Sequence, residues 1–458
     1  MKSPYSGSFE FDQDDVPSQQ PLPRLARPAA APAATAGLPP PSPVHAAALP
    51  PAPTTLDVSP GPRPLVYIKS DRLAQLSAQL PVNSDRSTLV HGLISAYGLL
   101  KGATVEEAVP ASLVQLEDFH SREYLSALAL HGRLSERQRA AYGLEDDCAP
   151  FPGLYEHAAL TAGGSLQAAA ALCSGAARLA VHLDGGRHHA RKARASGFCF
   201  VNDVVLAILR LLSSFRRVLY LDVDVHHGDG VEEAFEMTSR VLTMSLHKQA
   251  PGFFPGSGRL GARGQGPGRG FALNLPLGDG LRDELFLRAF AKLAGGVAEA
   301  FNPDCIVLQC GVDGLARDPL AGSWALTPRG YAAAAAQAAA WGRPLLLLGG
   351  GGYDSPSAAV AWAGVLAELV GKAPLPDDIP EHDHFERYGP GFTLSSVSKR
   401  LLPHDTTNPA AVMRDCEMLL AELHGAVERP RGSRGSGGGM AGGHLAAGGQ
   451  QCSKRAKA

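Results

Sequence analysis

The sequence predicts an α/β fold in which a mostly parallel sheet is covered by helices on both faces. Three observations predict it. Short apolar runs at 179–183, 218–225, 305–309 and 345–348 are too brief for helices and have the continuity of strands buried on both sides. Longer stretches of helical period, at 166–173, 204–212, 285–301 and 331–341, alternate with them. Strand–helix–strand succession needs crossovers, which make neighbouring strands parallel. Finally, each of the four runs ends in polar, chemically useful residues. In open α/β sheets that is where sites form, beyond the carboxyl ends of the strands.

Composition separates this region from its flanks. Sixteen of the 36 prolines precede residue 65, and residues 1–62 hold no aromatic after Phe11. Such a segment buries too little apolar surface to offset its ordering entropy, so 1–62 is expected to be a disordered Pro/Ala-rich tail. Residues 429–458 have nine glycines between 431 and 450 and read as a disordered Gly-rich tail. Between them, 63–428 is expected to form a single folded domain. The 458 residues suit one large α/β domain with tails, and no fixed-period repeat occurs.

Charge and cysteine usage exclude several classes. Lys plus Arg number 42 and Asp plus Glu 44, so net charge is −2 and no basic footprint points to direct nucleic-acid binding. The seven cysteines form no CxxC pair, which argues against a disulfide framework and a Cys-rich zinc site and suits a reducing compartment. No apolar run reaches the roughly 18 residues that span a bilayer, so no membrane role is expected. Asp12, Asp14 and Asp15 argue against a transit peptide. A soluble, intracellular protein is the expectation.

The run Tyr220-Leu221-Asp222-Val223-Asp224-Val225-His226 holds the first candidate site. Strand alternation puts Asp222, Asp224 and His226 on one face. Acids among valines and leucines are costly unless paired or metal-bound. Asp224 and His226 fit two ligands of one metal, and Asp313, after the next strand, can supply a third. Three protein ligands with an open position define a catalytic rather than a structural zinc site. The oxygen-rich donor set keeps Fe²⁺ and Mn²⁺ open as well.

His188 and His189 form a tandem pair in a Gly-rich loop. Asp222 and Asp229 can each accept an Nδ1–H bond, fix a tautomer and raise basicity, which suits proton transfer in hydrolysis. Tyr353 follows Gly349, Gly350, Gly351 and Gly352, whose permissive dihedrals allow its phenol to face an oxyanion. A phosphate-cradling loop is the weaker reading, because no Lys-Ser/Thr follows. Phe198 and Phe254 lie in Gly-flanked loops. They are either plain core or the walls of a narrow slot for a methylene chain.

Several motifs now stand in order: Gly185-Gly186-Arg187-His188-His189-Ala190, Ala195-Ser196-Gly197-Phe198-Cys199, Leu219 through Gly230, Ser245-Leu246-His247-Lys248, 251–256 and 349–353. Together the chain resembles zinc-dependent class I histone deacetylases over roughly 64–423. The resemblance implies the arginase/deacetylase fold, with a central, mostly parallel eight-stranded sheet. It implies hydrolysis of N6-acetyl-lysine on histones or other acetylated proteins, giving lysine and acetate. It makes Asp224, His226 and Asp313 the ligands of Zn²⁺, with Fe²⁺ as the alternative. His189 becomes general base and then acid, His188 an electrostatic partner, and Asp222 and Asp229 their carboxylates. Tyr353 binds the carbonyl oxygen.

The same resemblance places Phe198, Gly197, Phe254 and Leu320 along the lysine stem, Asp147 at the rim, and Arg86 in the acetate-release region. It implies structural K⁺ at an inner site (Asp222, Asp224, His226, Ser245, Leu246) and an outer one (Phe235, Thr238, Val241, Phe271). It further implies a nuclear and cytoplasmic location and a co-repressor complex. Arg187 departs from one branch of the family, which has an aromatic there; Asp146 replaces a tyrosine and Leu320 a methionine. Rival readings are a deacylase for other acyl-lysines or acetylpolyamines, a scaffold without activity, and arginase-type di-metal chemistry. The last needs bridging acids that the sequence does not offer.

Overall fold

The structure is a computed structural model and describes residues 64–80, 82, 85–321, 323–398 and 407–428. The two tails, 1–62 and 429–458, lie outside the described residues. Eight strands form one sheet: β1 (Leu65–Lys69), β2 (Thr104–Glu107), β3 (Leu179–His182), β4 (Val218–Asp222), β5 (Val241–Lys248), β6 (Ala272–Leu277), β7 (Cys305–Gln309) and β8 (Leu345–Leu348). Their order is β2-β1-β3-β8-β7-β4-β5-β6, and every pairing is parallel. The expected "mostly parallel" sheet is therefore wholly so.

Burial follows the period of two. In β1, Leu65 and Tyr67 join one apolar cluster while Val66 and Ile68 join another. In β4, Leu219 and Leu221 face the first cluster, Val218 and Tyr220 the second. Both faces are thus covered, as the unbroken apolar runs require. Helices Leu154–Ser174 and Asp203–Leu211 pack together beneath the second cluster. Asp283–Phe301, Pro328–Ala340 and Ser355–Leu369 cover the first.

Three of the predicted helices match within a few residues. The fourth, 166–173, is the end of the much longer Leu154–Ser174. Gly163 and Gly164 conceal its start in the sequence. A Cβ on Gly163 would stand 1.8 Å from the Val109 carbonyl oxygen, and one on Gly164 2.5 Å from the His182 ring. Close packing, not a helix break, explains both glycines.

One strand expectation is corrected. The run 218–225 is extended only to Asp222. Past it, side-chain oxygens take over from neighbouring strands: Asp222 Oδ1 accepts the Asp224 N–H (3.1 Å), and Asp224 Oδ1 accepts the His226 N–H (3.0 Å). The Val225 N–H donates to Asp313 Oδ1 (2.9 Å). Aspartate offers the backbone such local bonds, and here they end the strand. Asp224 and His226 therefore sit on a turn, and do not share one strand face with Asp222.

A buried histidine ties this scaffold together. The Nδ1–H of His120 donates to the Lys192 carbonyl (3.2 Å), and its Nε2 accepts the Asn202 N–H (2.9 Å). Asn202 caps helix Asp203–Leu211, and its amide donates to the carbonyls of Ala190 (2.9 Å) and His188 (3.3 Å). Burial lowers the His120 pKa from 6.5 to about 4. The unfolded state then binds more protons than the native state between those values. This contribution to stability is complete above pH 6.5 and is lost as pH falls towards 4, about 3 kcal/mol in all. His120→Gln should make unfolding free energy less steep against pH in this window. An unchanged slope in denaturant titrations would remove His120 as its source.

Candidate metal centre and active site

The four central strands are β3-β8-β7-β4. Their carboxyl ends deliver the histidine pair, Tyr353, Asp313 and the Asp222–Asp229 segment respectively. Chain order reverses here, since β5 and β6 continue to one side while β1 and β2 lie on the other. The crevice at such a reversal is where α/β sheets bind ligands.

Asp224, His226 and Asp313 come together, all buried, with one ligand atom from each within 4.8 Å of the others. His226 Nδ1 lies 2.9 Å from Asp313 Oδ2 and 3.2 Å from Asp224 Oδ1. The Gly351 N–H donates to Asp224 Oδ2 (2.8 Å). Burial, then the neighbouring charge of Asp224, raises the Asp313 carboxyl to about 6. Burial also works against ionised Asp224, but His188 and His226 hold it well below the usual carboxylate range. Two carboxylates and an imidazole this close fit a divalent cation. Two glycines make room for it: a Cβ on Gly311 would stand 2.0 Å from Asp224 Oδ2, and one on Gly351 2.0 Å from Asp313 Oδ2.

Both expected histidine–carboxylate couples are present. The Nδ1–H of His188 donates to Asp222 Oδ2 (2.8 Å) and that of His189 to Asp229 Oδ1 (2.7 Å). A carboxylate only accepts, so each ring keeps its Nε2 for the site. The two rings lie 4.0 Å apart, yet their surroundings shift them in opposite directions. Burial disfavours the cation on His188, but Asp222 and Asp224 outweigh it and raise the pKa to about 9. On His189, burial and the charge of His188 lower it to about 4 despite Asp229. Arg191 shares Asp229, with Nη2 2.6 Å from Oδ2.

Tyr353 is half-buried, its ring centroid 5.7 Å from that of Phe198. Burial and the charge of Asp313 keep its phenol protonated, its pKa well above 10.0. Phe254 is 39% exposed, which rules out the core reading, and its ring lies 4.9 Å from His189. Gly197 and Phe198 form the tip of a tight hairpin closed by Ser196 and Cys199, with φ of 55° and 60°. Positive φ at both central residues is the type I′ pattern. For a phenylalanine it is strained, and such strain gathers at functional sites. Asp147 is exposed and accepts the Gly197 N–H (3.0 Å). Leu320 is part-buried, and buried Arg86 donates from Nη1 to the carbonyls of Gly350 (2.9 Å) and Gly352 (3.0 Å).

Sequence reasoning missed three contributors. Asp318 Oδ2 accepts the Tyr353 N–H (2.6 Å) and Oδ1 the Leu320 N–H (2.8 Å), which steadies the tyrosine turn. Phe253 stacks on His226 at 5.2 Å and 3°, with Lys248 Nζ 4.9 Å above its ring. Gln309 Nε2 donates to the Gly186 carbonyl (2.8 Å) and props the histidine loop. Only a glutamine closing an apolar run signalled any of them.

Two histidine–carboxylate couples beside a buried cation-ready triad are the equipment of a metal-dependent hydrolase. Comparison narrows the class. A family model described as the histone deacetylase domain matches residues 80–369. The chain is 43% identical over 333 residues to Histone deacetylase 8 of Xenopus tropicalis, covering 72% of this chain and 90% of that one. It is 42% identical over 335 residues to Histone deacetylase 8 of Danio rerio, covering 72% and 88%. With Histone deacetylase RPD3 of Saccharomyces cerevisiae it shares 40% identity over 322 residues, 69% and 73%. The chain belongs to the histone deacetylase family.

The glycine clearances give a test. In Gly311→Ala the new methyl must displace the Asp224 carboxylate, so affinity for a divalent ion should fall at least about tenfold. Gly295, which has open space around its Cβ, supplies the control Gly295→Ala. Equal metal affinity of both variants by calorimetric titration would show that Asp224 is not confined.

Proposed function

We propose that the protein hydrolyses the N6-acetyl-lysine amide of histones, and of other acetylated proteins, through the residues just described. Family membership carries the reaction class. What supports the residue roles is the pair of couples His188–Asp222 (2.8 Å) and His189–Asp229 (2.7 Å), whose surroundings push the first ring's pKa up and the second's down. Paired groups driven apart in pKa by their surroundings are the mark of divided acid–base labour.

Asp224, His226 and Asp313 would hold the divalent cation, with Zn²⁺ preferred and Fe²⁺ the alternative. When bound, it supplies Lewis-acid polarisation of the acetyl carbonyl and of water. Phe198 and Phe254 flank the extended lysine stem, with Gly197 and Leu320 beside it. Asp147 holds the substrate backbone at the rim. Neutral His189 takes a proton from water on Nε2 as the water oxygen bonds to the carbonyl carbon. His188 stays cationic and offsets the growing negative charge. The Tyr353 hydroxyl donates to the carbonyl oxygen as it becomes an oxyanion. The C–N bond then breaks, His189 returns its proton to the lysine nitrogen, and acetate and lysine result.

Further assignments rest on the resemblance and the surrounding chemistry. Potassium is proposed near Asp222, whose carboxylate also accepts the Tyr220 hydroxyl (2.6 Å), together with Asp224, His226, Ser245 and Leu246. A second potassium is proposed at Phe235, Thr238, Val241 and Phe271. Residues 63–428 are proposed as the catalytic domain, acting in nucleus and cytoplasm within a co-repressor complex.

Chelator-sensitive release of acetate from an acetyl-lysine peptide, restored one metal at a time, tests the whole reading. No turnover with any metal, or turnover on acetylpolyamines alone, would overturn it. Tyr353→Phe should keep its metal but lose at least about tenfold in kcat; wild-type turnover would end the oxyanion role. Asp313→Ala should bind no stoichiometric metal by elemental analysis, and full retention would exclude it as a ligand.

A further inference from the structure

Phe254, the proposed wall of the lysine slot, lies on a loop at 249–258. The middle of this loop is exposed at Pro251, Gly252, Phe254 and Gly256. A wall grips a substrate without an ordering cost only if it is already in place. Two buried histidines that the proposed chemistry does not use lie where the loop ends.

His227 directly follows the candidate metal ligand His226. Its Nε2 lies 3.2 Å from Glu232 Oε2, which also accepts the Asn274 amide (2.6 Å). A carboxylate only accepts, so Nε2 carries a proton and Nδ1 is left for the loop. There Nδ1 meets the Ser257 hydroxyl at 2.8 Å. His247 stands beside it, the two ring centroids 4.6 Å apart. Its Nε2–H donates to the Gly258 carbonyl (2.8 Å), and its Nδ1 accepts the Ser245 hydroxyl (2.9 Å).

Gly258 makes this fit possible. Its φ is 76°, and a Cβ there would stand 2.3 Å from His247 Nε2 and 2.6 Å from His227 Cγ. The loop backbone thus rests directly on both rings. On the other side of Phe254, Phe253 stacks on His226. The turn that carries His226 and His227 therefore holds the loop before and after Phe254.

We propose that His227, His247 and Ser257 are positioning residues, which preset Phe254 for the lysine stem without touching substrate. The naming of the lysine stem rests on the deacetylase reading; the tether does not. Losing the tether adds an ordering cost to binding and leaves bond breaking alone. The effect belongs in KM rather than kcat.

Ser257→Ala in the full-length, metal-loaded protein tests this. With one hydrogen bond lost, KM for an acetyl-lysine peptide should rise about fivefold while kcat stays within about twofold. Chymotrypsin cleavage between Phe253 and Phe254 under native conditions, read by mass spectrometry, should quicken by a similar factor. Ser257→Thr keeps the hydroxyl and should restore both. Wild-type KM or wild-type cleavage in Ser257→Ala overturns the proposal, as does a loss confined to kcat. Faster cleavage in Ser257→Ala, in a protein that turns over no peptide, would keep the tether and overturn the deacetylase reading.

Discussion

The structure depends on keeping negative charge inside a parallel sheet. Asp222, Asp224 and Asp313 are each at most 1% exposed. Such groups are tolerated only when hydrogen bonds and cations compensate them. Here the backbone does part of this work, with the N–H groups of Asp224, Val225, His226 and Gly351 all turned to carboxylate oxygens. The histidines His188 and His226 supply more of it. The end of β4, the glycines at 311 and 351, and the charge on His188 all answer to this one requirement.

The same field divides two adjacent histidines. His188 looks onto Asp222 and Asp224, which push its pKa up, whereas His189 has one carboxylate already shared with Arg191, and burial and His188 push its pKa down. Two opposite shifts are thereby set by position alone. Residue type does not distinguish them.

Much of the site was legible because acids and histidines at the ends of apolar runs have few innocent explanations. Asp224, His226, Asp313 and Tyr353 could be proposed from that alone, and the family motifs extended the reading to Asp147, Leu320 and Arg86. What stayed hidden depends on contacts across the sequence. Asp318 looks like any loop acid until the fold brings it under Tyr353. Phe253 beside Phe254 gives no hint that the first stacks on His226 while the second is exposed. The strand was read three residues too long because Val223 and Val225 keep the alternation going, and only Asp313, far along the chain, shows where the Val225 N–H is bound.

All four groups of site residues ride on β3, β4, β7 and β8, and the first and last of these are paired directly. The stretch from Leu179 to Leu348 is therefore a loop closed on itself, fastened where its two end strands meet. The active site cannot be assembled piecemeal, since its final strand must fit between β7 and β3 and pair with both. Long-range closure of this kind is a late and slow event in folding. Deacetylase activity in this architecture is thus a sensor of completed folding, silent in any chain whose clasp has not shut.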